Sequence, residues 1–320
     1  MPIVSNPTAG DVHVNRPLTN FGQKYLQDAS RFISLRAMPN LPVGMQSDLY
    51  WIFNRGDFNR DEAQERADGT ESAGGGFQVS TSPYFAHVYA FHKDVSDRQR
   101  ANQDPGIDLD NSAAQFVANK LMIRRERLFQ QAFFNTGIWA NDVNVDWTTT
   151  GSPIANVRTG ARTIQLATGF RPNKMIIGRQ AWDTLMENDE MLSRINGGAT
   201  TSQPAQVQMA LVAQLFELDQ VFVMDAIYNT AQEGATESNA FIGGDNALLY
   251  YAPNTLNLQE PTAGAQFSWT GYTGATPSGF RVKRMRAELL NSDRIEGEMA
   301  FDYKVIAPEL GYMMTTPSAA

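Results

Sequence analysis

At 320 residues, 42% hydrophobic and 19% charged, the chain has enough polymer for one large or two medium domains with real cores. A formal net charge of −8 argues against a nucleic-acid reader whose whole surface is basic, while leaving room for a local basic patch. Without cysteine there are no disulfide staples, thiol catalysis or thiolate metal sites, and no window has the unbroken apolar length of a membrane span, so a soluble product of a cytosol is expected.

Pro2, Pro7, Pro17, Pro39 and Pro42 keep residues 1–50 irregular, with one short helix expected around Gly22 to Ser34. Phe21, Tyr25, Phe32, Leu35, Leu41 and Leu49 are nevertheless too apolar for a dissolved tail. They need a surface, on their own domain or on a neighbouring subunit. From residue 50 to 93, LYWIFNRG leads in and SPYFAHVYAFHKD leads out of a polar centre. In the outgoing stretch Tyr84, Ala86, Val88 and Ala90 share one face, and Phe85, His87, Tyr89 and Phe91 the other. The centre carries many acids, with Arg55 before it, Arg60 and Arg66 within it, and Gly74–Gly75–Gly76 as a hinge. An extended β-hairpin that projects toward a partner is expected, a disordered surface loop being the alternative.

Asp110 to Asn135 is the longest regular stretch. Read as a helix, it sets Ala114, Val117, Leu121, Arg125, Leu128 and Ala132 on one stripe, widened by Phe116, Ile123, Phe129 and Phe133. Asp110 or Asn111 can cap its first turn, and Pro105–Gly106 blocks an earlier start. At about 1.5 Å per residue it is roughly 38 Å long. It is either the longest helix of a globule or a spine crossing an extended, flat subunit.

Residues 136–169 show little periodicity, and Trp139 and Trp147 plug either a core or an interface. RPNKMIIG then reads as a short strand, followed by helical RQAWDTLMENDEMLSRI with Trp182, Leu185, Met186, Leu192 and Ile195 inward and Gly197–Gly198 as its stop. A second helix over Ala205 to Leu218 places Val207, Leu211, Leu215 and Leu218 on one stripe, before the strand QVFVMDAIYN and the apolar run FIGGDNALLYYAP. That order indicates an α/β or α+β lobe over 170–262. The remainder is β, with a clear alternating face of Ile295, Gly297, Met299, Phe301, Tyr303 and Val305. This last strand is expected to pair with the outgoing hairpin strand or with one beside the spine.

Catalytic constellations are thin. His87 and His92 stand five apart in a strand-like run and point to opposite faces, which is wrong for joint metal ligation. No G-x-S-x-G, H-E-x-x-H or Walker lysine occurs, and Gly74–Gly75–Gly76 lacks the strand and helix of a phosphate cradle. Glu187, Asp189 and Glu190 read as a solvated helix end rather than a cation cage. No enzyme activity and no cofactor is expected. Two basic clusters remain: Arg124, Arg125 and Arg127 in the spine, and Arg281, Lys283, Arg284 and Arg286 in a strand charged on both faces. The strand cluster is a solvated surface, a partner for the acidic hairpin of a neighbour, or a phosphate site.

RPNKMIIGRQAWDTLMENDEMLSRI resembles the segment of tailed-phage major capsid proteins in which a PN-x-hydrophobic-hydrophobic-G strand precedes a short helix, and FDYKVIAPELGYMM is similar to their late strand and tail. The order of elements matches over nearly the whole chain. The resemblance implies an α+β, HK97-like major capsid fold. Its parts would be an N-terminal arm (1–50), an extended loop (51–92), a peripheral domain (93–170) with the spine helix at 110–135, an axial domain (171–265), and return strands with a C-terminal tail (266–320). It implies a structural subunit that self-assembles as hexameric and pentameric capsomers into the icosahedral shell enclosing phage double-stranded DNA. An encapsulin-like compartment shell and an α/β hydrolytic enzyme are the alternatives.

On this reading, contacts between subunits are expected at Phe21, Tyr25, Arg55, Arg60, Asp61, Glu62, Glu65, Arg66, Arg124, Arg125, Arg127, Arg281, Lys283, Arg284 and Arg286. The expected partners are other copies, a separate scaffolding protein, a portal, a cement or decoration protein, and packaged DNA in non-specific proximity, with no membrane. The location implied is the virion capsid, assembled in host cytoplasm. Residues 51–92 contain no lysine, so the lysine crosslink of some members is not expected. A shell held by arginine–carboxylate pairs between subunits should soften at high salt.

Overall fold

A computed structural model of the chain describes residues 26–102, 108–149, 151–195, 209–255, 260–272 and 274–316. Phe21, Tyr25, Pro105–Gly106, Gly197–Gly198 and Val207 lie outside them. In place of the helix expected up to Ser34, the described part holds one 3-10 turn, Ala29–Arg31, capped by the Asp28 carboxylate, which accepts from Ser30 N at 2.9 Å. Phe32, Ile33, Ala37 and Met38 then bury themselves in the main core, so this part of the expected arm lies on its own body. Leu41 and Leu49 remain exposed.

The strands β1 (Asn40–Val43) and β2 (Ser47–Phe53) lead to a one-turn helix α1 (Arg55–Phe58). The outgoing stretch is two strands, β3 (Val79–Phe85) and β4 (His87–Ser96). Ala86 breaks the ladder between them, its N–H donating to Gln46 O at 2.8 Å. Tyr84 and Ala86 are buried before the break, whereas Val88 is exposed and Val95 is buried after it. The single alternation expected across 84–91 therefore changes face at Ala86, as an irregular residue in a strand must cause with a side-chain period of two.

After α2 (Asp97–Ala101), opened by a Ser96/Gln99 capping box, the spine helix α3 runs from Leu109 to Phe133. Its cap is Asp108, accepting from Asn111 N at 3.0 Å, while Asp110 falls inside the first turn and pairs with Arg100. Val117, Leu121 and Arg125 are buried as expected, but their companions are Ala113, Glu126, Phe129 and Phe133 rather than Ala114, Leu128 and Ala132. Positions four apart drift by about 40° per step, so the buried face winds along a long helix. Its first half packs Val117 and Leu121 on Met299 and Phe301, and its second half enters the main core through Phe129 and Phe133.

β5 (Asn141–Asn144) precedes α4 (Pro153–Thr168), a 16-residue helix in the stretch where little periodicity is visible. Pro153 opens it and Gly169, at φ 83°, closes it in the left-handed region. Ile154, Val157, Ala161 and Ile164 form its buried stripe, diluted in sequence by threonines and Gly160. Trp139 and Trp147 are both core residues.

β6 (Lys174–Gly178) is wholly buried, and α5 (Arg179–Met186) and α6 (Asp189–Ile195) follow as separate helices. Asn188 parts them: its side chain accepts from Glu190 N and Met191 N and donates to Thr148 O and Gly151 O. Met191 is buried while Met186 and Leu192 are only half-buried. In α7 (Met209–Leu215) the buried residues are Val212 and Ala213, with Phe216 and Leu218 just beyond; of the expected stripe Leu218 is buried and Leu215 packs half-buried on the core, while Leu211 is exposed.

The rest is β7 (Gln220–Met224), β8 (Ile227–Asn229), β9 (Asn239–Phe241), β10 (Asn246–Tyr250), β11 (Gly264–Trp269), β12 (Phe280–Ala287), β13 (Ser292–Val305) and β14 (Gly311–Thr315). One sheet has the order β1-β11-β13-β12 with β4 also paired to β13; a second has the order β5-β14-β10-β6-β7. The final long strand does pair with the outgoing hairpin strand, from Ser292↔Ser96 to Phe301↔His87. Helix α3 lies so close to this ladder that a Cβ at Gly297 would stand 2.7 Å from Leu121 Cδ1 and 2.8 Å from Val117 Cγ1.

Candidate assembly surface

The hairpin β2–β3 is held at its root and bare toward its tip. At the root, Tyr84 stacks on Phe267 with centroids 4.6 Å apart, Tyr50 lies 5.3 Å from the same ring, and Phe85 N donates to Asp302 Oδ2 at 2.9 Å. Beyond that the ladder runs Trp51↔Thr81 and Phe53↔Val79. Asn54 then turns the chain into α1, and Asp57 Oδ2 accepts from Gln78 N at 2.9 Å across the hairpin. These bonds gather Phe53, Phe58 and Phe77 into one ring cluster, with centroids 5.3–6.3 Å apart. Among the described residues no second layer covers it: Trp51 is 60% exposed, Phe58 60% and Phe77 58%.

Monomeric soluble proteins seldom expose apolar side chains in a contiguous group, and such patches mark contact sites. Each large aromatic carries about 150–250 Å², so covering the exposed half of four is worth on the order of 10 kcal/mol before the costs of association. In sequence the two strands are visibly aromatic, yet the contacts expected of this segment are its charges alone. The available signal was four aromatics in a stretch too polar to enclose them.

The hairpin charges are solvent-facing. Arg60 lies 3.6 Å from Asp57 and 3.5 Å from Glu62, Arg55 is 3.7 Å from Glu309, and Arg66 Nε donates to Thr70 O. Asp61 and Glu65 are exposed, with no cation beside them among the described residues. His87 and His92 are exposed too, and among the described residues no group of three His, Asp or Glu side chains converges to hold a metal ion.

The two basic clusters behave differently. Every basic residue of β12 finds a carboxylate in its own chain. Arg281 and Lys283 meet Glu298, with Lys283 also 3.3 Å from Glu296. Arg284 reaches Asp293 and Asp110, and Arg286 reaches Asp97 and Asp293. Arg284, then Arg286 and Arg100, hold the Asp293 carboxyl down at about 2 against partial desolvation. Burial pushes Glu298 up, but the Lys283 and Arg281 donors together outweigh it and leave it below its ordinary value.

In the spine, Arg125 is enclosed by its own subunit at 2% exposure: Nη1 donates to Ser278 O at 3.2 Å and the guanidinium sits 4.8 Å from the Phe301 centroid. Beside it, buried Glu126 accepts from Ile33 N at 3.1 Å and Ser34 N at 3.0 Å, seating the N-terminal segment on the helix. Burial raises the Glu126 carboxyl against the pull of these donors and of Arg125. Nothing local in the sequence marks it, since its partners lie more than 90 residues away. Arg124 and Arg127 lie at or near the surface over the rings of Tyr89 and Tyr228.

The family described as Phage major capsid protein E matches residues 109–276. The chain is 27% identical over 170 residues to the major capsid protein of Burkholderia phage BcepMu, a match covering 51% of this chain and about half, 53%, of that protein. It is 24% identical over 314 residues to the major capsid protein of Pseudomonas phage JBD67, covering 91% of this chain and 93% of the other. Among solved structures, a phage-related protein from Bordetella bronchiseptica RB50 aligns with TM-score 0.66 at 18% identity over 90% of this chain and 93% of that one. The capsid of cyanophage P-SCSP1u gives 0.59 at 11% over 93% and 91%. The SrpI encapsulin of Synechococcus elongatus PCC 7942 gives 0.53 at 11% over 92% and 91%.

Proposed function

The chain belongs to the phage major capsid protein E family, and we infer that it is the structural subunit of an icosahedral shell around phage double-stranded DNA. Its fold is the α+β, HK97-like capsid fold. The observation that carries the reading is the bare aromatic hairpin. Rings packed on one another beside the Asn54 and Asp57 hydrogen bonds, yet exposed among the described residues, are suited to seating on another copy of the chain. We assign 51–92 as the extended loop, 93–170 as the peripheral domain, 171–265 as the axial domain and 266–320 as the return strands. Copies join as hexameric and pentameric capsomers of the virion, with a separate scaffolding protein, a portal and a cement or decoration protein as further partners and the host cytoplasm as the place of assembly. The role is structural rather than enzymatic.

Phe53→Ser, Phe58→Ser and Phe77→Ser introduced together test this. The subunit should keep its melting temperature within a few degrees, because none of the three rings is buried, while closed shells disappear from electron micrographs. Shells of normal yield from that variant, or a wild-type chain that stays a compact monomer under every assembly condition, would overturn the reading. An encapsulin-like compartment shares the fold; a protein cargo in purified particles, in place of DNA, would favour it.

A further inference from the structure

Lys120, Arg124 and Arg127 follow one another at spacings of four and three, so they form one stripe of α3 spanning about 10 Å. Each lies over a ring instead of against a carboxylate: Lys120 Nζ is 5.5 Å from the Phe116 centroid, the Arg124 guanidinium 5.5 Å from Tyr89, and that of Arg127 4.5 Å from Tyr228. Among the described residues none of the three has an ion-pair partner. An aromatic face steadies a cation without cancelling its charge.

Most cations of the neighbouring strands are matched within the subunit. On the face of the β4–β13–β12 ladder away from the helix, Arg281 and Lys283 are matched by Glu296 and Glu298. A subunit of net charge −8, repeated around a cavity filled with phosphate, repels its contents unless basic groups face inward or mobile cations screen the gap. A duplex carries a charge for about every 1.7 Å of its axis, so a 10 Å stripe faces several phosphates at once.

We propose that the Lys120–Arg124–Arg127 stripe is the face of the shell wall that meets packaged duplex DNA, through its phosphates and without reading bases. This rests on the shell reading above and adds to it which side of the helix-and-sheet layer is inward. An acidic segment of a second copy is the competing occupant.

The test compares two charge-removing variants of the full chain. One is Lys120→Gln/Arg124→Gln/Arg127→Gln; the other is Arg158→Gln/Arg162→Gln, an exposed pair on α4. Binding of a short mixed-sequence duplex to dispersed subunits is followed from low to moderate salt, and shell formation without DNA is scored by electron microscopy. The triple variant should assemble normally and lower the slope of log K against log salt by about 2 to 3, while the α4 pair changes it by under about 1. Equal slope changes in both would reduce the effect to net charge and overturn the proposal. An unchanged slope with lost shells would hand the stripe to a neighbouring subunit, also overturning it. If the triple variant fails to fold, Arg124→Gln alone should lower the slope by about 1. Wild-type chains that form no shells would sink the shell reading, and the slopes would still decide whether the stripe takes a duplex.

Discussion

At the scale of single residues, Glu126 ties a distant segment of the chain to the spine helix. Its carboxylate is the acceptor for two buried backbone amides that no other described group serves. Glu126→Ala should cost about 3 kcal/mol in urea unfolding, since each abandoned amide is worth about 1–3 kcal/mol. Its titration has a definite sign. Burial raises the folded-state pKa above the ordinary carboxylate value, so between the two values the folded chain holds more proton than the unfolded one. Stability therefore falls as pH rises through that window, and Glu126→Gln should remove this part of the slope in denaturation curves recorded from pH 4.5 upward. A wild-type profile that rises over the same interval would contradict the assignment.

At the scale of elements, the closeness of helix α3 to strand β13 sets the thickness of the layer. Only a residue without a Cβ fits at 297 beneath Val117 and Leu121, both enclosed. Gly297→Val should destabilise the subunit by about 1–3 kcal/mol through overpacking, measured as a drop in urea midpoint at constant m-value. The hairpin obeys the opposite rule. Its rings have order without cover, so substitutions there are expected to spare the subunit and act on assembly alone.

For the whole molecule, charge is managed mostly within the subunit, while the hairpin rings stay exposed among the described residues. The basic strand that looked fit to pair with a neighbour's acidic hairpin is matched at home by Glu296, Glu298, Asp293, Asp97 and Asp110. Contacts built mainly on the hairpin rings imply shells that shift little in urea resistance, read by light scattering, when sodium chloride is raised to about 0.5 M, and that gain resistance in sulfate. Shells that come apart on adding sodium chloride would restore arginine–carboxylate pairs between subunits as the main bond.

The amino-acid order alone determined a spine, expected over 110–135 and found over 109–133, the hairpin's two strands and the alternating face of β13, because each is written in a period that neighbours in sequence can express. It left α4 hidden, since Thr159, Thr163 and Gly160 dilute a stripe that only the second sheet reveals as buried. The change of face at Ala86, the winding of the buried side of α3, the seating of residues 33 and 34 on Glu126 and the home pairing of β12 were decided by tertiary structure. The physical reason is common to all four: a local period fixes which residues share a face, but which face is covered, and by what charge, depends on partners brought together from distant parts of the chain.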